Sequence, residues 1–385
     1  MVSIGEAFES RRNSLNLIRL ALACVVILSH SFPLGAFGDE PVVGNVTFGT
    51  MAVAVFFAIS GYLITGSRES AASGWRFMWH RVLRILPGYY ICLLVIAVIA
   101  APLAWGHLRG GLAGYPVADS VRYVVGNLAL KTSFVPTIPG TQEGIDSSVQ
   151  YWNGAAWSLF FEFLCYIGVA ILAAFGLLRT WVIAATLALT SGMLLAWELA
   201  PGPMVDLLFH SHDTYRLFTT GTVFMAGALL YLLRDRIPDS PVVAAGCGAV
   251  VVGGVVLLDR PEWFVAGPVA YAVIWLAIHL PFSGVLSRTD VSYGTYIYGY
   301  PIATLLTIYG VNEWGILAYN LVTFAIVVPL ALASWFGIER RAMRLKNAVP
   351  SQKVGPRQKR ANRADTAHGT LREQPRNDRR KRLGP

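Results

Sequence analysis

The sequence predicts an all-α polytopic membrane protein of about ten transmembrane helices with both termini cytoplasmic, and three observations carry that reading. Of 385 residues, 55% are hydrophobic and only 14% charged, against about a quarter charged in a soluble domain. The apolar residues gather into long windows, each close to the roughly 20 residues that cross a bilayer. Lys and Arg fall overwhelmingly on alternate connections between those windows, as the positive-inside rule requires. A soluble enzyme is excluded.

In chain order the windows are Leu15–Leu34, Thr47–Gly66, Leu86–Trp105, Trp157–Leu178, Trp181–Leu199, Leu217–Leu233, Pro241–Leu258, Glu262–Leu280, Val291–Ile308 and Trp314–Gly337. Charge, Pro or Gly bounds each of them. Ser120–Leu130 is too short and too polar to span, and is expected at the interface or partly re-entrant. Arg11 and Arg12 before an apolar run imitate a secretory leader. That run holds Arg19 and His30 and lacks a small-residue cleavage site, so it is read as a retained first span.

With the N-terminus inside, the inner connections carry 25 Lys/Arg and the outer ones five: Arg109, Arg122, Lys131, Arg216 and Arg260. The chain thus divides into a cytoplasmic segment at 1–14, a membrane domain at 15–345 and a basic tail at 346–385. From Ala348 onward the tail has 11 Lys/Arg and 3 Asp/Glu with almost no large apolar side chain, so it is expected to be disordered. Its charge suits a topology determinant beside anionic lipid. No aromatic interleaving or motif supports a nucleic-acid partner. Cys24, Cys92, Cys165 and Cys247 stand singly in apolar windows without metal-ligand spacing, so they are read as free thiols and no metal is expected.

Ionisable groups inside spans mark candidate sites. Arg19 and His30 are eleven residues apart, which places them on one helix face about 16 Å apart along the axis. Ser158, Glu162 and Tyr166 form an i, i+4, i+8 stripe, and a carboxylate there needs a partner or a proton. By depth, Glu162 is expected beside His30, as the carboxylate supporting a general base. Before the third window, Arg81 and Arg84 share a face and suit phosphate groups, with Pro87 expected at the helix start. Tyr293, Tyr296, Tyr298 and Tyr300, with Pro301, form a dense aromatic run that packs or walls a cavity.

Taken together and in order, these segments resemble the acyltransferase-3 family of bacterial integral-membrane O-acyltransferases. The residues that carry the resemblance are Arg19 and His30; Phe56-Phe57-Ala-Ile-Ser60-Gly61-Tyr62; Arg81-Val-Leu-Arg84-Ile-Leu-Pro87; Trp157-Ser158 with Glu162 and Tyr166; Ser292-Tyr293 through Pro301; and Ser334-Trp335 with Glu339-Arg340. The resemblance implies ten helices in the bacterial inner membrane. It also implies transfer of an acyl group, commonly acetyl, from cytoplasmic acyl-CoA to a hydroxyl of a carbohydrate or other hydroxylated small molecule at the far side. Acyl-CoA is then a donor substrate, and no bound cofactor is expected. The family's functional positions fall on Arg19, His30, Arg81 and Arg84. The chain departs from the family pattern at His80, where a further Arg or Lys is common, at Gly299, where a His is common, and at Arg341, where Pro is common.

The combined reading places catalysis on His30 and Glu162, donor binding on Arg19, Arg81 and Arg84, and substrate contacts on Ser60, Tyr62, Trp157, Ser158, Tyr166, Tyr296 and Tyr298. The competing class is a proton-coupled transporter or flippase, for which a buried His and Glu would also serve. Against it, the sequence shows no inverted repeat.

Overall fold

The computed structural model describes residues 2–10, 12–146, 150–199, 202, 211–259, 261–283 and 289–348. Most of the basic tail, with its expected disorder, lies outside the described residues. Among the described residues each of the ten windows holds a helix: α1 (Leu15–Leu34), α2 (Phe48–Ser70), α3 (Gly74–Arg109), α4 (Trp157–Ala174), α5 (Thr180–Leu199), α6 (His212–Leu233), α7 (Pro241–Leu257), α8 (Glu262–His279), α9 (Ser292–Ile308) and α10 (Ile316–Ser334). Eight helical segments are long and apolar enough to cross a membrane, and α7 is a shorter apolar helix. The chain is an all-α membrane protein.

Local chemistry sets the ends. Thr47 caps α2 by accepting the Thr50 N–H at 3.1 Å, and Ser73 caps α3 by accepting the Arg76 N–H at 3.2 Å; such caps satisfy N–H groups that have no partner in the first turn. The α1–α2 connection is a small hairpin pairing Val42–Val43 with Val46–Thr47. Gly44 takes φ +59° in its two-residue turn, a conformation that favours glycine.

Two expectations about α3 need correction. The helix starts at Gly74, not at Pro87, and Pro87 lies in its interior. The stretch before Leu86 is too charged to read as a span, yet it stays helical by packing on the chain after α10. There the Trp79 indole N–H donates to the Leu345 carbonyl at 3.0 Å, and Arg76 donates to Asn347 at 3.2 Å. Arg76, Arg81 and Arg84 therefore sit on a helix and not in a connection. Farther along, α3 passes through a π-turn at Ile96–Ala100, where the Tyr115 hydroxyl donates to the Ala97 carbonyl at 2.9 Å. The helix runs on to Arg109, so the long connection begins at Gly110.

That connection dips into the bundle. Asn153 donates to the Ile297 carbonyl at 2.9 Å, and the Tyr296 hydroxyl donates to the Ala155 carbonyl at 2.6 Å. Ile297 is five residues into α9, about 8 Å from its start at 1.5 Å per residue. Non-helical backbone at such depth is tolerated where protein surrounds it, and Trp152 is wholly buried.

Two packings fix the frame. Along α9 nearly every residue is buried, so this helix is the centre of the bundle. Between α2 and α6 two glycines oppose each other. A Cβ on Gly61 would sit 2.0 Å from the Phe224 carbonyl oxygen, and one on Gly227 would sit 2.1 Å from that of Ala58. Small residues let the two backbones touch, the usual device for joining helices in lipid.

Candidate active site

His30 lies near the end of α1, and its imidazole Nδ1 is 3.0 Å from Glu40 Oε1. Glu40 stands in the α1–α2 connection, which the hairpin folds back over the helix end. Its other oxygen accepts the Ser29 hydroxyl at 2.5 Å, and Ser29 Oγ accepts the Gly49 N–H at 2.9 Å, which ties α1 to α2. Burial acts to raise the Glu40 carboxyl, but the hydrogen bond and charge of His30, with the Ser29 and Thr47 hydroxyls, outweigh it and hold the group below its ordinary value. A carboxylate on Nδ1 fixes the tautomer and leaves Nε2 as the nitrogen that can take a proton. The imidazole also meets the Tyr300 ring edge-on at 5.3 Å. Both members of the pair line a cavity of about 430 Å³ shared with Tyr151, Trp157, Arg216, Tyr296 and Tyr300.

At the other end of α1, Arg19 donates to Asp290 at 2.9 Å, and Arg84 from α3 pairs with the same carboxylate oxygen. The second Asp290 oxygen accepts the Ser292 hydroxyl at 2.5 Å. Burial acts to raise the Asp290 carboxyl; the two guanidiniums and the Ser292 hydrogen bonds more than reverse this and hold it far below the usual carboxylate range. Arg84 also lies over the Trp335 ring at 5.9 Å. Arg81 lies 6.0 Å from the ring centres of Phe77 and Tyr166, with its buried Nε unpartnered among the described residues. Nearby, Glu339 is 2% exposed and accepts the Ser334 hydroxyl at 2.9 Å. Arg19 lines a narrow pocket of about 40 Å³ together with Phe56, Ser158, Glu162 and Tyr296.

Glu162 is not beside His30, which corrects the expected pairing. It accepts the Ser60 hydroxyl at 2.6 Å and the Tyr166 hydroxyl at 2.5 Å, and it belongs to the arginine side. The reason is depth. Because the preceding connection dips into the bundle, α4 begins well inside it, and five further residues carry Glu162 past the level of His30. Glu40, ten residues after His30 on a folded-back connection, takes the place instead. Of the other expected contacts, Trp157 walls the larger cavity and Ser158 the narrow pocket, where its hydroxyl meets the Tyr296 hydroxyl at 2.7 Å. Tyr62 is packed between Phe8 and Tyr231 and Tyr298 is buried; neither lines either space. A Cβ on Gly299 would lie 2.4 Å from Ile27 Cγ1 of α1, so a larger side chain there requires the Ile27 side chain to move.

Val53 and Tyr296 line both spaces. These two residues form a partition between an arginine-lined pocket and a histidine-lined cavity, and Tyr296 is held from two sides by Ser158 and Ala155.

Comparison with known proteins places the chain. No solved structure matches the chain. Nodulation protein 10 of Rhizobium leguminosarum bv. viciae is 27% identical over 375 residues, covering 91% of this chain and 98% of that protein. The O-acetyl transferase of Shigella phage Sf6 is 32% identical over 163 residues, 42% of this chain and 46% of that protein. Acyltransferase MdmB of Streptomyces mycarofaciens is 29% identical over 161 residues, 41% of this chain and 38% of that protein. The acyltransferase domain of the acyltransferase-3 family matches residues 12–339, and the chain, an acyltransferase with membrane-spanning helices, belongs to that family.

Proposed function

We propose that this membrane O-acyltransferase takes an acetyl group from acyl-CoA on the cytoplasmic side and places it on a hydroxyl of a carbohydrate or related small molecule on the far side of the bacterial inner membrane. The observation that carries the proposal is the partition. A pocket lined by Arg19 and a cavity lined by His30 lie on opposite sides of Val53 and Tyr296, the two side chains about 16 Å apart along α1 at 1.5 Å per residue. The bias of Lys and Arg toward the connections on the Arg19 side supports the sidedness.

In this scheme the donor phosphates engage Arg19, Arg81 and Arg84, for which guanidinium is the fitting group. The pantetheine arm carries the thioester past Ser158 and Glu162 to the partition. His30 Nε2 removes the acceptor hydroxyl proton as the oxygen attacks the thioester carbonyl; the new ester bond forms and the C–S bond breaks. Glu40 holds the imidazole and stabilises its charged form. At the partition the Ser158 hydroxyl, which can turn from Tyr296 without disturbing the Tyr296–Ala155 hydrogen bond, is the donor for the developing oxyanion.

The test is acetyl-CoA consumption by the purified protein in nanodiscs, with and without envelope glycans of its host, for wild type, His30→Ala and Arg84→Ala. Glycan-dependent CoA release that both substitutions abolish supports the proposal. Undiminished release by well-folded His30→Ala overturns it.

A further inference from the structure

The cavity that holds His30 does not end at Arg216. Tyr151, Gly154, Trp157 and Arg216 also line an adjoining space of about 230 Å³ that contains Lys131 and Asp213. Arg216 stands where the two spaces join. Its guanidinium lies 4.5 Å from the centre of the Trp157 ring and forms no ion pair or hydrogen bond with a described residue.

Lys131, the other Lys or Arg among the described residues lining these spaces, pairs with Asp213 at 2.7 Å. Arg216 lines both spaces and has no ion pair with a described residue. A guanidinium held over an indole by its central carbon can still present its N–H fork to the paired oxygens of a carboxylate or phosphate. Of the carboxylates lining these spaces, Glu40 is engaged by His30 and Asp213 by Lys131, while Glu262 also lines the His30 cavity.

We propose that Arg216 binds an anionic group, carboxylate or phosphate, carried by the acceptor. The acceptor is then an acidic sugar or a phosphorylated sugar, with Trp157 beneath its charged substituent and a hydroxyl reaching His30. The assignment of that hydroxyl rests on the acyl-transfer reading; the anion site does not.

Arginine footprinting keeps the two apart. Wild-type protein in nanodiscs is treated with phenylglyoxal, and modification of Arg216 is followed by peptide mass spectrometry. Methyl β-glucuronide or glucose 1-phosphate is expected to slow it about fivefold once the ligand exceeds its dissociation constant several times. Methyl β-glucoside, and KCl at equal ionic strength, are expected to leave it unchanged. Whichever anion protects at lower concentration distinguishes a carboxylate from a phosphate source. Protection by the neutral glycoside or by KCl to the same extent, or protection by neither anion, overturns the proposal. Arg216→Gln is expected to erase any preference for acidic over neutral acceptors in CoA release, and Arg216→Lys to restore part of it. If wild type releases no CoA with any acceptor, acyl transfer fails while the footprint still decides the anion site.

Discussion

Replacing Glu40 by Gln isolates what the carboxylate contributes to His30. The amide is nearly isosteric and can still receive the Nδ1–H, so the ring should keep its position, held also by Tyr300 at 5.3 Å. What disappears is the negative charge 3.0 Å from Nδ1, which stabilises the imidazolium formed as the acceptor loses its proton. A hydrogen bond to a charged group contributes about 1.5–3 kcal/mol. The pair is partly shielded, with side chains 20% and 23% exposed, so that range applies with little discount. At 1.36 kcal/mol per factor of ten, kcat should fall by about 10- to 150-fold. The donor KM should stay within a factor of about two, because an effect confined to the transition state leaves ground-state binding alone and the arginines lie at the far end of α1. Steady-state CoA release against acetyl-CoA concentration separates the two parameters. A Glu40→Gln enzyme with wild-type kcat, or one whose defect lies wholly in the donor KM, would refute the dyad.

Three further outcomes follow from packing and charge. Gly227→Ala places a methyl 2.1 Å from the Ala58 carbonyl oxygen, where only backbone can yield; it should destabilise by about 1–3 kcal/mol. Gly221→Ala on the same helix meets nothing within 4 Å and should leave Tm unchanged or slightly raised, so equal Tm losses in the two variants would count against the tight α2–α6 contact. Asp290→Asn strips the shared counter-ion from Arg19 and Arg84, and breaking such a pair from one side costs about 3 kcal/mol or more. Added CoA should then raise the variant's Tm more than it raises the wild type's, since the donor phosphates would no longer compete with a carboxylate; an equal rise would place the phosphates elsewhere. A carboxyl whose folded value is depressed contributes stability above its unfolded value, and that contribution is lost as pH falls through the folded one. For Asp290 the loss therefore begins below about pH 4, and the variant's Tm profile should be flatter than the wild type's in that range.

Helix positions were legible because hydrophobic length is a local quantity: all ten windows contain a helix, and eight helical segments among the described residues are long and apolar enough to cross a membrane. The start of α3 was not, since residues 74–85 look like a charged connection until the chain after α10 is present to receive Trp79 and Arg76. The site was legible in its parts and not in its pairing. Periodicity on one helix places Arg19 and His30 on a common face, but it says nothing of the depth at which another helix begins. For that reason Glu162 was matched to His30 when Glu40 is the residue in contact. A signal for Glu40 existed in the acid that precedes a Gly44–Asn45 turn just after the helix. Asp290 carried a signal too, in the Asp-x-Ser pattern that lets Ser292 bond back to it. Neither signal says which distant side chain arrives.

The partition at Val53 and Tyr296 gives the reaction an electrical side. If donor and acceptor meet as proposed, CoA thiolate takes up a proton in the cytoplasm while the acceptor hydroxyl gives one up outside. A partition tight to ions makes each turnover equivalent to exporting one proton, which opposes an inside-negative potential by about 2.3 kcal/mol per 100 mV. Only a proton passed inward through the touching hydroxyls of Tyr296 and Ser158 would make the same turnover electrically silent. Two side chains thereby determine whether a neutral group transfer is coupled to the membrane voltage.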